Sequence, residues 1–400
     1  MDAKLRAFLW ARQGLDGSLA GAKSAQVLER TGWVRSVGGA SPYLALHARA
    51  ALARAAIDRD VATLAIHELP SARGCTYVVP AADFGLALRA SVGHGDAAAM
   101  AMATKYLGVT AKEVARLGEK IVDALGAEPL DPRGLKDVLG DSVRNLGAEG
   151  KKRGTTTTLP LALALLQTSG VIRRIPVDGR IDQQRYRYTT WKPAPSCTLA
   201  DDEVAVELAR RFFHWAGPAT AAQLAWWAGL GAKAAKAAVA ALGLVPYEDD
   251  RLVSKQDLDA IRATKVPKDA SYALVPLLDN LSHLRRDVAG LLDAADAKRE
   301  LGGEKGARPA FTLRDLPHHA IVDRGRIVGF WEYDQAGQGG KGEIAWGTFA
   351  GGKPPAKLAA AVSEMETFVR EQVGDARTFS LDAPETRGER IAAVRRLAEN

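Results

Sequence analysis

With 400 residues, 47% hydrophobic and 25% charged, the chain is too long for one hydrophobic core and divides into two or three units at about 150 residues each. That composition excludes a disordered chain, and no apolar run reaches the roughly 18 residues of a membrane span. A net charge of +7 favours polyanionic partners, provided the positive side chains cluster.

The opening "MDAKLRAFLWARQGL" reads as a charged amphipathic helix rather than a signal peptide, so the cytoplasm is the expected compartment. Ala3 to Gln13 and Lys23 to Thr31 are expected helices with a Gly-rich connection. "LERTGWVRSVGGASPYLALHARA", Leu28 to Ala50, then sets a Trp, an Arg, a Gly-Gly pair and a Ser-Pro break between two apolar segments. A plain helix connection needs less. Asp58 to Ala65 reads as helix, "RGCTYVVP" (Arg73 to Pro80) as a short β-rich stretch, and Asp83 to Arg89 as the start of another helix. This first unit spans 1–108.

The second unit, 109–195, opens with Thr110 and Glu113 spaced as a capping box, followed by Val114, Leu117, Ile121, Val122 and Leu125 at helical spacing. Pro132 stands at a second helix start, and "TLPLALALLQTSG" forms a third helix closed by Gly170. "VIRRIPVDGRIDQQRYRYTTW" then reads as strand, Asp-Gly turn, strand. Three helices and a hairpin outline a winged helix. The order recurs in 196–268, where Thr220 caps the second helix and "LVPYEDDRLVS" supplies a shorter hairpin. The first unit reads as a degenerate copy. From 269 to 400 the chain turns β-rich, with "DRGR" as a hairpin turn, Gly- and Lys-rich loops at "KRELGGEKGARPAF" and "DQAGQGGKGE", and a helix from Leu358 to Gln372. The fold class is therefore α+β.

Charge is concentrated in the second unit. Lys151, Lys152 and Arg153, with Thr155 and Thr156, precede its third helix, the recognition position of a winged helix; Arg173, Arg174, Arg180, Arg185 and Arg187 stud the hairpin, interleaved with Tyr186 and Tyr188. A helix N-terminus attracts phosphate, cationic side chains release its counterions, and Thr hydroxyls donate to its oxygens. These residues are the expected duplex-DNA surface. Glu248, Asp249 and Asp250 make the third unit's wing acidic, which suits scaffolding better.

Several stretches together resemble a known family. "LARRFFHWAGPATAAQLAWWAGL" is similar to its Arg-aromatic helix, Gly-Pro and Trp-x-Gly-Leu pattern, "ARGCTYVVPAADF" to its Arg-Gly-Thr-Leu-His segment, and "DLPHHAIVDRGRIVGFWEYD" to its C-terminal region. It is the bacterial winged-helix DNA-binding-domain family that includes the interstrand-crosslink-repair DNA glycosylases. The resemblance implies three tandem winged helices, a C-terminal β-barrel and a concave DNA surface. In the glycosylases, water replaces the damaged base at the sugar carbon, and a Gln-x-Gln or Gln-x-Asp motif lies just before a Leu-Ala-Leu-x-x-Arg helix. Here that helix is Leu44 to Arg49, so the motif falls on Arg35, Ser36 and Val37.

A carboxamide or carboxylate can accept from the attacking water; Val37 cannot, and Arg35 carries the wrong charge beside an oxocarbenium-like centre. Arg35 suits a phosphate, Ser36 a hydrogen bond, and Gly38 and Gly39 would let DNA approach the backbone. Alternatively the loop is a structural turn with Trp33 in the core. Tyr77 is grouped with this loop. Asp279 and Asp323 are candidates for the missing acceptor, although both also fit turns. His47 and His67 fit core or surface roles. Cys75 and Cys197 stand apart without a CxxC context, and neither P-loop nor metal-ligand spacing appears, so no cofactor or metal is expected. The leading expectation is a monomeric duplex-DNA-binding relative of the glycosylases that recognises or excises alkylated or crosslinked bases. The alternative is a winged-helix transcriptional regulator, which normally dimerises to match two half-sites.

Overall fold

The computed structural model describes residues 1–301, 306–337 and 340–399; parts of the two expected Gly- and Lys-rich loops, 302–305 and 338–339, lie outside them. Helices occupy Ala3–Arg12, Ser24–Thr31, Ser41–Ala50 and Arg54–Ala62, with a short strand at Val34–Arg35 between the second and third. Strands Ile66–Pro70 and Thr76–Pro80 follow, and the three strands form one sheet with Thr76–Pro80 in the middle. The first unit, read from the sequence as a degenerate copy, has the order helix, helix, strand, helix, helix, hairpin.

In the second stretch, Thr110 accepts from the Glu113 N–H at 3.1 Å and Glu113 returns a bond to the Thr110 N–H, closing the capping box of helix Ala111–Leu125. Asp131 caps Pro132–Leu139. Helix Leu159–Thr168 buries Leu159, Leu161, Ala162 and Leu163 and bears no charge. These helices share a core of their own, including Leu117, Ile121, Leu135 and Ile172.

The strands Ile172–Pro176 and Tyr186–Thr190 pair antiparallel as expected. The connection between them is longer than the Asp-Gly turn read from sequence. Ile181 is fully buried there in the first unit's core, and its N–H donates to the Tyr43 hydroxyl at 3.1 Å. Burying one aliphatic side chain outweighs the preference of Asp-Gly for a two-residue turn.

Helices Asp201–Ala216, Ala221–Ala228 and Ala232–Ala240 follow, then two-residue strands at Val245–Pro246 and Leu252–Val253. Thr220 caps its helix in a box with Gln223. Trp215 and Trp227 pack with Trp33 of the first unit at ring distances of 5.5 and 5.7 Å, giving the two units one shared core.

The C-terminal part is built on a four-stranded antiparallel sheet ordered Glu343–Thr348, Arg326–Asp334, His319–Asp323, Tyr272–Val275. Its two outer strands do not pair with each other, so the sheet is open and the expected barrel closure is absent among the described residues. Helices fill the sides instead. Ala356–Phe368 packs against Tyr272–Val275, and Pro384–Glu399, a helix with few apolar residues to announce it, lies along the other edge.

A buried polar knot joins the parts. Arg49 donates from Nη1 and Nη2 to the Asp279 carboxylate at 2.7 and 2.9 Å, with both side chains at most 1% exposed. Removing one partner of such a pair leaves the other charge buried. Arg49→Leu should lower unfolding free energy by about 3–5 kcal/mol in urea titration, and Arg49→Leu/Asp279→Leu should recover part of that loss.

Candidate active-site loop and nucleic-acid interface

Strand pairing fixes the loop. Val34 and Arg35 pair with Val78 and Tyr77, and the Ser36 N–H continues the ladder to the Thr76 carbonyl at 3.0 Å. Alternation along the extended chain sends Arg35 and Ser36 to opposite faces. Beyond them the backbone is clamped by the C-terminal segment. The Ser380 N–H donates to the Val37 carbonyl, the Ala40 N–H donates to the Arg377 carbonyl at 2.8 Å, and Gly38 bridges Phe379.

The two glycines serve this clamp. A Cβ on Gly39 would sit 2.2 Å from the Arg377 carbonyl oxygen, and Gly38, at φ +77°, faces the Gln184 side chain. Their bareness admits neighbouring protein, where the sequence suggested DNA. Trp33 is buried, its indole N–H donating to Asp83 at 2.7 Å.

On the Ser36 face the hydroxyl donates to Glu68, whose other oxygen accepts from the Tyr186 hydroxyl at 2.8 Å and pairs with Arg174 at 3.3 Å. Arg174 also stacks over Tyr186. This buried cluster is the seam between the first unit's sheet and the second unit's hairpin. His67 lies in it, among Phe84 and Trp191. Burial, reinforced by Arg173 and Arg174, pushes its pKa down to about 3.

On the opposite face the Arg35 guanidinium lies 5.5 Å over the Tyr77 ring. Burial lowers its pKa; Tyr77 counters this and the like charge of Arg73 adds to it. Arg73 and Arg286 stack on Trp226 at 3.8 and 4.5 Å, and His283 meets the same ring edge-on at 5.3 Å. Asp315 receives Arg286 and lies 3.3 Å from His283 Nδ1. Burial works to raise the Asp315 pKa, but His283 and Arg286 outweigh it and hold it below the ordinary carboxylate value. His283, Arg286, Asp315 and Phe379 line a cavity of about 830 Å³ that also takes in Arg308, Arg314 and helix Pro384–Glu399.

The other sequence candidates lie elsewhere. Both Asp279 oxygens are committed to Arg49, and one also caps the Leu281 N–H. Asp323 is buried beside Arg324 and accepts from the Ser271 N–H. His47 stacks on Phe368. Cys75 and Cys197 are free and half-buried, and no group of three or more His, Cys, Asp or Glu is placed to hold a metal among the described residues.

The basic residues of the second unit divide. Lys151, Lys152, Arg153, Thr156, Arg185 and Arg187 are exposed, Thr155 and Arg173 half-buried. Arg153 pairs with Glu149 and stacks 3.8 Å over Tyr106; Arg185 pairs loosely with Asp178 at 3.2 Å. Arg174 and Arg180 turn inward, Arg180 to Asp182 and the Val373 carbonyl. Lys151 and Lys152 end a short helix, Gly147–Lys152, absent from the sequence reading. Arg73, Trp226, Arg286 and Asp315 also went unnoticed, because only tertiary packing brings these distant positions together.

Because His67 stays neutral when folded but takes a proton below about pH 6.5 when unfolded, its contribution to stability is lost as pH falls from 6.5 towards 3. Each unit costs up to about 1.4 kcal/mol. His67→Phe should flatten the stability-versus-pH slope between pH 6 and 4 by one proton, read by urea titration at stepped pH.

Comparison with known proteins agrees with this architecture. No curated protein matches the sequence. The Streptomyces sahachiroi DNA glycosylase AlkZ is similar in structure, with a TM-score of 0.67 and 19% identity over 94% of this chain and 98% of that one. No helix among the described residues is long and apolar enough to cross a membrane. The family model described as DNA glycosylase AlkZ-like matches residues 28–368, and the chain belongs to that DNA glycosylase family rather than to a group of regulators.

Proposed function

We propose that the protein binds damaged duplex DNA with its 35–39 loop at the lesion, and that it releases the damaged base slowly. The helix-and-hairpin units act as three winged helices. The second grips phosphates through Lys151, Lys152, Arg153, Thr155, Thr156, Arg173, Arg185 and Arg187, and the third serves as scaffold. Arg174 and Arg180 hold the hairpin to its neighbours.

The observation that carries this reading is the split of the loop. Ser36 is spent on Glu68, while Arg35 and the half-buried Val37 occupy the positions from which a carboxamide pair would orient water. A guanidinium beside a sugar that gains positive charge raises the barrier instead of lowering it. Hydrolysis at this site needs another acceptor. Asp279 and Asp323 are tied to arginines and to backbone N–H groups, so we assign them structural roles. Asp315 has a partly exposed carboxylate kept ionised beside His283 and Arg286, and it is the better acceptor for a water attacking the sugar carbon.

Two outcomes test the reading. Replacing Lys151, Lys152, Arg185 and Arg187 by Ala should weaken duplex binding and reduce the slope of log K against log salt by about 0.9 per lost phosphate contact; Arg174→Ala should chiefly lower stability. An unchanged slope in the folded quadruple variant would remove these residues from the interface. In single-turnover assays on alkylated-purine duplex at saturating protein, Arg35→Gln/Val37→Gln should speed base release by up to about 100-fold, the lower range for positioned acid–base assistance. Asp315→Asn should abolish what release the unaltered protein shows. Fast release insensitive to Asp315→Asn would place the chemistry elsewhere.

A further inference from the structure

Arg73 and Arg286, on opposite sides of the fold's sequence, converge on Trp226, and both hold left-handed backbone at φ +60° and +53°. Such backbone is strained for a non-glycine residue and persists where surrounding structure enforces it. Arg35 is close enough that its charge bears on both Arg73 and His283. Arg73 and Arg286 thus share the Trp226 ring with Arg35 in electrostatic reach of Arg73, and Asp315 engages Arg286 alone of the three.

Their hydrogen bonding is incomplete. Arg35 Nη1, Arg73 Nε and Arg286 Nε are all buried donors without a partner among the described residues. Neither Arg35 nor Arg73 forms an ion pair there. A buried donor left unpaired is costly, and like charges held together need an anion to offset them. Aromatic stacking on Trp226 steadies two of the guanidinium planes without consuming their edges.

We propose that Arg35, Arg73 and Arg286 form a phosphate-binding site at the mouth of the cavity beside the 35–39 loop. Counting Asp315, the cluster carries about two net positive charges, which matches a phosphate dianion and also accommodates the monoanionic diester of a DNA backbone. Guanidinium edges suit either through paired N–H···O bonds. The site rests on the DNA-binding reading above for its source of phosphate, although the site itself does not require base release. It gives Arg35 a positive role in a position where the water-holding chemistry is lost.

Calorimetric titration of the full chain with inorganic phosphate tests the site directly. Arg35→Gln and Arg73→Gln break no ion pair, so both should remain folded, and each should weaken phosphate binding about ten- to a hundredfold. Phosphate binding that is absent in the unaltered protein, or unchanged in both variants, would overturn the proposal. Three duplexes then identify the source: intact, nicked with a 5′-hydroxyl, and nicked with a 5′-phosphate. A variant loss confined to the 5′-phosphate duplex assigns the site to a strand end; an equal loss on all three assigns it to a backbone diester. If the unaltered protein binds phosphate through Arg35 and Arg73 but binds none of the duplexes, the site stands and the DNA reading falls.

Discussion

The fold turns on one buried ion pair. Arg49 and Asp279 belong to parts of the chain that share no strand, yet their carboxylate–guanidinium contact is almost completely removed from water. Around it Gln13 accepts from Arg49 at 3.0 Å and donates to the Thr31 and Trp215 carbonyls, while Asn280 donates to the same Thr31 carbonyl at 3.1 Å. Five segments thus meet in a single hydrogen-bonded knot. A charge pair so placed contributes little net stability against an apolar substitute. Its effect is on geometry, since only one relative arrangement of the segments lets the Arg49 Nη groups and the Gln13 and Asn280 amides reach their acceptors together.

That arrangement makes the rest of the site possible. The helix bearing Arg49 follows directly on the 35–39 loop, and Asp279 begins the short turn that carries His283, Arg285 and Arg286. Locking Arg49 to Asp279 therefore brings the loop and the His283–Arg286 turn to the same face. Trp226 enters from the third unit, whose tryptophans already share a core with Trp33. The same packing sets Trp226 against Arg73, Arg286 and His283.

Local signals in the sequence were enough for the elements that depend on near neighbours. Thr110 with Glu113, Asp131 with Pro132, and Thr220 with Gln223 mark helix starts through bonds made within one turn, and two strand segments around Asp178-Gly179 mark a hairpin. The same signals could not say that Ile181 leaves the hairpin for another unit's core, nor that Arg174 and Arg180 find acidic partners inside. Charge type is local, but the choice between a phosphate and a carboxylate partner is made by tertiary packing. Helix Pro384–Glu399 was illegible for a different reason, since Val394 is nearly alone in burying an apolar side chain there. The family resemblance pointed to the loop, and only the packed structure showed that Ser36 turns to Glu68 and Arg35 to Tyr77.

The clamp on that loop reaches across almost the whole chain. The bonds from residues 37–40 run to residues 377–380, past the end of the family match at residue 368. During synthesis the first unit is made well before residues 377–380 and can pack its own core, but its loop must wait for them. At ordinary elongation rates that delay is on the order of half a minute. The loop is thus set only once residues 377–380 have been made, and a chain interrupted before them would carry the basic surface of residues 151–187 without the set loop.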